Sequence, residues 1–241
     1  MTTHTPRTRV SPAASWNTFS TQTSANAMIA APRNAPPQLG PPPGLVAPPP
    51  ILDFATSVLG IDLDSKQAEL LSAAGRNVIL NCCRQWGKST MAAVKAVHRS
   101  IERPGSLSII VSPSERQSGE LVGTIRRYCA QAGLKTKGDG RNKSSVVLEN
   151  GSRVVGLPAS ERTTRGFANV ALLIVDEASR VPDDVYLPMR PFLATSSGDI
   201  WLLSTPYGCK GFFYRTWTAG RGGWFRVTAK ATECPRILFQ G

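Results

Sequence analysis

From residue 51 onward, short runs of uninterrupted apolar residues alternate with longer stretches in which apolar positions recur every three or four residues. That alternation predicts an α/β fold, a mostly parallel sheet flanked by helices. Residues 77–82, Asn-Val-Ile-Leu-Asn-Cys, read as a first buried strand, and a helix from about Gly87 to Glu102 follows, stopped by Pro104-Gly105. A second strand covers 107–112. The next helix, 115–131, places Leu121, Ile125 and Tyr128 on one face and ends before Gly133. Asn150-Gly151 between the β-rich runs 145–149 and 152–155 predicts an antiparallel hairpin insert. Residues 170–176 are the most apolar run and belong in the middle of the sheet. Two more strands are expected over 199–205, where Pro206-Tyr207-Gly208 breaks the run, and over 223–228.

Residues 1–50 do not share this pattern. They are rich in Pro, Ala, Ser and Thr, with Pro-rich tracts at 36–44 and 48–50, and bury too little apolar surface to offset the entropy of ordering them. They read as a disordered, Pro-rich arm, which leaves one domain of ordinary size over 51–237. Leu238-Phe239-Gln240-Gly241 reads as a protease-cleavable tag remnant, with the natural chain expected to continue past Ile237. The five cysteines include no Cys-x-x-Cys pair, which argues against a disulfide framework or structural zinc. No apolar run approaches the ~20 residues that span a bilayer, so no membrane role and a cytoplasmic location are expected. The formal charge of +12 and pI near 10.0 favour a polyanionic partner such as nucleic acid.

The candidate chemistry lies at two strand ends. Arg84-Gln85-Trp86-Gly87-Lys88-Ser89-Thr90 joins the first strand to its helix. It ends in the Gly-Lys-Ser of a phosphate-binding loop, although Cys82 stands where the usual first glycine would be. Gly87 allows backbone N–H groups to approach phosphates at the positive end of a helix. Lys88 would then neutralise the β- and γ-phosphates, and the Ser89 hydroxyl would ligate magnesium. The apolar run 170–176 ends in Asp176-Glu177, supplying a carboxylate to hold Mg2+ and a second to orient and deprotonate the attacking water. Phosphoryl transfer also calls for positive charge matched to the transition state. Arg84 inside the loop and Arg165 in Thr163-Thr164-Arg165-Gly166 are the two candidates, Arg165 requiring a neighbouring subunit or a folded-back loop. Gln67 precedes the first strand, where its amide could read an adenine edge.

Taken in order, these residues resemble the N-terminal ATPase domain of the large terminase subunit, the DNA-packaging motor of tailed bacteriophages. The likeness rests on Gln67, the deviant phosphate loop 84–90, Arg165-Gly166, Asp176-Glu177 and Ser204-Thr205-Pro206, and so spans residues 67–206. It implies a RecA-like sheet with an extra strand between the phosphate-loop strand and the acidic strand, and ATP with Mg2+ as the ligands. Arg84 would sense phosphate, Arg165 would be a finger offered to the adjacent subunit, and Ser204 and Thr205 would couple hydrolysis to movement. The implied partners are double-stranded DNA, a portal protein, a small terminase subunit and further copies in a ring, commonly a pentamer. The implied place is the host cytoplasm and, transiently, the portal vertex of a procapsid.

The family's C-terminal nuclease domain has no counterpart here, since Glu233 is the only acidic residue after Asp199 and a two-metal site cannot be built. Cleavage of DNA is therefore not expected of this fragment. Two other functions share the phosphate loop. A helicase-like ATPase would need a second RecA-like lobe, and a slowly hydrolysing, nucleotide-gated assembly module would have little use for Glu177.

Overall fold

The computed structural model describes residues 48–73, 77–160, 167–193, 196–220 and 222–234. Residues 1–47 of the arm expected over 1–50, Arg165 with Gly166, and the expected tag remnant lie outside them. Eight strands form one sheet in the order β3-β4-β5-β2-β6-β7-β1-β8. They are β1 (Asn77–Cys82), β2 (Leu107–Ser112), β3 (Thr136–Lys137), β4 (Ser145–Leu148), β5 (Arg153–Pro158), β6 (Val170–Asp176), β7 (Asp199–Ser204) and β8 (Trp224–Ala229). From β5 to β8 every pairing is parallel, and only β3 and β4 join antiparallel at one edge. The acidic strand β6 is not adjacent to the phosphate-loop strand β1. β7 lies between them, pairing Ile79 with Leu202 on one side and Ile174 with Trp201 on the other.

The strands carry continuous apolar sequence because both faces of the sheet are covered. Side chains alternate between two cores. Val78, Leu80, Leu172, Ile174, Trp201 and Leu203 pack on one face, beneath α1 (Ile51–Asp53) with its π-helical continuation Phe54–Val58, α2 (Ser65–Leu71), α3 (Lys88–Glu102) and α4 (Glu115–Gln131). Ile79, Leu173, Val175, Ile200 and Leu202 point to the opposite face. It is closed by the 3-10 turns Ala178–Arg180 and Leu187–Leu193 and by α5 (Asp183–Tyr186) and α6 (Gly211–Thr218). Tyr186 of α5 stacks on Phe212 of α6 with ring centroids 3.9 Å apart.

The hairpin differs from the two-residue form that Asn150-Gly151 suggests. Val147 opposite Arg153 is the last registered pair, so the connection is longer. The buried Asn150 side chain explains this, for its Nδ2 donates to Ser100 O at 2.8 Å and its Oδ1 accepts from Ser152 N at 3.0 Å. The asparagine thus docks the turn onto the end of α3. Nor is the hairpin wholly an insert, since β5 pairs with β2 in parallel and only its partner β4 reverses direction. No helix among the described residues is long and apolar enough to cross a membrane.

Candidate active site

The C-terminal ends of β1, β2, β6 and β7 surround one cleft of about 450 Å³, the edge at which open parallel sheets place their ligands. Its lining includes Arg84, Gln85 and Lys88 from the loop after β1, Glu177 and Arg180 after β6, and Thr205 after β7. Gln85 at φ 62° and Gly87 at φ 99° give the loop its turn. Gly87 is the residue type that accepts such a φ without strain, and it caps the N-terminus of α3. Trp86 between them is buried in the helix-side core and anchors the loop to the sheet. Ser89 and Thr90 lie in the first turn of α3, with Ser89 exposed.

Lys88 Nζ lies 2.8 Å from Glu177 Oε1 and 3.5 Å from Asp176 Oδ1. The two strand ends separated by β7 therefore meet across a single ammonium group. Burial would lower the Lys88 pKa, but Asp176 and Glu177 outweigh it and hold the ammonium above its ordinary value. Burial pushes the Asp176 carboxyl up, with Lys88 opposing and Glu177 adding to the rise. Glu177 adopts a left-handed conformation, φ 49° and ψ 42°, at the head of a 3-10 turn. Its other carboxylate oxygen accepts from the Thr205 hydroxyl at 3.3 Å. Backbone strain of this kind in a non-glycine residue costs about 1–3 kcal/mol and tends to collect at functional sites.

Ser204 and Thr205 belong to the same assembly. The Ser179 and Ser204 hydroxyls are 2.6 Å apart, Ser179 N donates to Ser204 Oγ at 3.1 Å, and Ser179 Oγ donates to Thr205 O at 2.9 Å. The turn carrying Glu177 and the end of β7 are thereby stitched together. Cys82, in the first-glycine position, is the buried last residue of β1, paired with Ala229 of β8. Burial raises its thiol to about 12, which keeps it neutral and unreactive.

The oxygens near Lys88 suit a hard cation. Asp176 Oδ1 is buried and accepts no hydrogen bond from the described residues. A magnesium ion held by that carboxylate, the Ser89 hydroxyl, phosphate oxygens and water would match the donor set, since magnesium uses few protein ligands beside a nucleotide. Among the described residues no cluster of three or more His, Cys, Asp or Glu side chains offers an all-protein cage.

Gln67, expected to read adenine, sits on α2 beside the phosphate loop. It is completely buried, its Nε2 donates to Trp86 O at 2.9 Å, and its Oε1 accepts from Asp64 N at 3.2 Å. Asp64 caps α2, which puts Gln67 at the third helical position and draws its amide into a capping box. The glutamine thereby ties α2 to the phosphate loop. Arg180, Gln117 and Pro113 line the cleft without having been singled out from sequence. The available signal was the spacing of Arg180, one 3-10 turn beyond Glu177.

A family model described as terminase large subunit, T4likevirus-type, N-terminal, matches residues 79–233. The large terminase subunit of Thermus virus P23-45 is 28% identical over 160 residues, which make up 58% of this chain and 33% of that protein. The chain thus spans about a third of the length of the curated relatives it matches. Among solved structures, the large terminase ATPase domain of Thermus phage P74-26 aligns with a TM-score of 0.68 at 21% identity, covering 78% of this chain and 89% of that one. A large terminase of a thermophilic bacteriophage, solved in complex with ADP, aligns with a TM-score of 0.62 at 12% identity, covering 74% and 49%. Both likenesses establish the fold, a RecA-like phosphate-loop sheet.

Proposed function

The chain belongs to the terminase large-subunit family, and from that premise we propose that it hydrolyses ATP to drive double-stranded DNA into a viral procapsid. The observation that carries the reading is Lys88 Nζ lying within 2.8 Å of Glu177 and 3.5 Å of Asp176 at the mouth of a cleft of about 450 Å³. A lysine at a helix N-terminus supplies the anion site, and a buried acid beside it supplies the metal site.

In the proposed reaction Lys88 would exchange its carboxylate partners for the β- and γ-phosphates, and Ser89 and Asp176 are the residues that would hold magnesium. Magnesium held there would supply positive charge against the charge that develops during transfer. Glu177 accepts a proton from the water that attacks the γ-phosphorus as the bond to the β-phosphate oxygen breaks. Thr205, which donates to Glu177, then links the state of that carboxylate to β7, and Ser204 carries the link to Ser179. Arg84, exposed on the loop, is the cation offered from within the same chain, and Arg165 is the candidate offered to a neighbour. This reading places the chain in a ring of copies, with a pentamer as the expected size, working with a portal protein and a small terminase subunit at the portal vertex in the host cytoplasm.

DNA engagement would be through phosphates, because a motor must pass any sequence. The exposed Lys135, Lys137, Arg141 and Lys143 around β3 and the following loop are its basic candidates. Steady-state ATP hydrolysis with magnesium, with and without duplex DNA, tests the proposal. Wild-type protein should turn over ATP and Lys88→Ala should not, whereas equal rates in the two proteins would refute the assignment.

A further inference from the structure

The cleft contains a cation that the reaction described above does not use. Arg180 lines it together with Lys88 and Glu177. The 3-10 turn places this arginine three residues after Glu177, with Arg180 N donating to Glu177 O at 2.8 Å. Both side chains line the same cleft. Glu177 is nevertheless bonded to Lys88 and Thr205. The Arg180 guanidinium instead lies over the ring of Tyr207, 4.3 Å from its centroid. Tyr207 is 49% exposed and stands two residues beyond Thr205.

Arg127 is also set against a tyrosine ring, 5.5 Å from the centroid of Tyr128, but it does not line the cleft. Arg99 is buried against Asp199, and Arg215 pairs with Asp183. Among the described residues Arg180 has no carboxylate partner, and its planar group is held at the cleft by a ring that supplies no formal charge. The positive charge of Lys88 is already matched by Asp176 and Glu177. The free positive character of the lining therefore comes from Arg84 on one wall and Arg180 on the other, both exposed. A guanidinium in this setting fits a phosphate oxygen, which it can meet with two parallel hydrogen bonds.

We propose that Arg180 is an in-cis contact for the terminal phosphate of the bound nucleotide, and that Tyr207 positions it. The inference rests on the ATPase reading of the same cleft and adds a residue to it. It also gives the segment after β7 a direct report of the terminal phosphate. The guanidinium that grips the phosphate lies on Tyr207, and Tyr207 follows Ser204-Thr205 in the chain. Loss of the phosphate would leave Arg180 with its ring contact alone, an interaction worth little at an exposed site.

Equilibrium binding of ATPγS and of ADP, each with magnesium, to wild-type protein and to Arg180→Ala, Arg180→Lys, Tyr207→Ala and Tyr207→Phe tests the proposal. Arg180→Ala should weaken ATPγS by about tenfold, the scale of one charge-assisted hydrogen bond, and leave ADP unchanged. Arg180→Lys should recover part of the loss. Tyr207→Ala should show a smaller loss of the same selectivity, and Tyr207→Phe, which keeps the ring, should match wild type. Equal losses for both nucleotides, or no loss for either, in folded Arg180→Ala would overturn the proposal while leaving the ATPase reading intact. A wild-type protein that binds neither nucleotide would remove both.

Discussion

Helix α3 carries a cluster of buried charge at each end, and the two clusters are built in opposite senses. At its N-terminus one cation, Lys88, faces two carboxylates, Asp176 and Glu177, from the end of β6. Near its C-terminus two cations, Lys95 and Arg99, share one buried carboxylate, Asp199, at the start of β7, with Arg99 also 3.3 Å from the half-exposed Glu102. Lys95 lies over Trp201 at 5.4 Å from the ring centroid. The first cluster opens into a cleft and has acid to spare, including an oxygen of Asp176 without a hydrogen bond. The second is packed shut. Their lysines respond oppositely. Burial opposes charge on both, but the two acids hold Lys88 above its usual value, whereas burial with the help of Arg99 brings Lys95 below it against Asp199 and Glu102. An excess of carboxylate beside an open cleft is a place for a metal and a polyphosphate; a closed cluster around one carboxylate fixes a helix on a strand.

That contrast predicts separable losses. The largest falls on turnover: Glu177→Gln should slow ATP hydrolysis by about 10²–10⁴-fold, the usual contribution of a positioned general base, with an unchanged melting temperature. A rate within a few-fold of wild type would remove Glu177 as the base. Next is Asp199→Asn, which leaves Lys95 and Arg99 buried without their carboxylate and should cost about 3–5 kcal/mol in denaturant unfolding. Folded Asp199→Asn should still bind nucleotide with wild-type affinity, and lost affinity in the folded fraction would break the proposed division between the two ends.

Asp176→Asn should behave in the reverse way. Magnesium-dependent nucleotide binding should fall at least tenfold, the scale of one lost charge-assisted contact, while the melting temperature should not drop, because the substitution removes a carboxylate whose burial is costly.

The smallest effect is at Lys95. Its folded-state pKa lies below the unfolded one, so the folded chain releases this proton first as pH rises. Its contribution to stability therefore grows as pH climbs through the window between the lowered value and the ordinary lysine value, is complete above it, and is absent below the folded pKa. Lys95→Met should lie within about 1 kcal/mol of wild type near neutrality, with wild type gaining on it in alkaline melts. A gap independent of pH would show that folding does not lower the Lys95 pKa.

Much of this was legible in the chain itself because the strands are apolar on both faces and end in punctuated loops. The runs at 77–82, 107–112 and 170–176 became β1, β2 and β6 with the boundaries their composition suggests, and Glu115–Gln131 became α4. What periodicity does not encode is lateral order. The place of β7 between β1 and β6 followed from the family resemblance, not from its residues. The coverings of the second face were not anticipated either, for Leu187–Leu193 contains Pro191 and the 3-10 and α5 turns are too short to show a helical period. In the site, Lys88, Asp176, Glu177 and Thr205 were readable because each ends a strand or opens a helix. The link from Gln67 to the Trp86 carbonyl was not foreseen, because that partner is a backbone atom brought close only by folding. Arg180 was missed for a similar reason, since its orientation depends on Tyr207 from another strand end.

Lys88, Asp176 and Glu177 are proposed to share one magnesium–nucleotide pocket. The decisive measurement is calorimetric titration of a non-hydrolysable ATP analogue into the wild-type chain, with magnesium and with chelator. Binding should saturate at a single site, strengthen with magnesium and be lost in Lys88→Ala. Undiminished binding in Lys88→Ala, or wild-type binding indifferent to magnesium, would contradict the shared pocket.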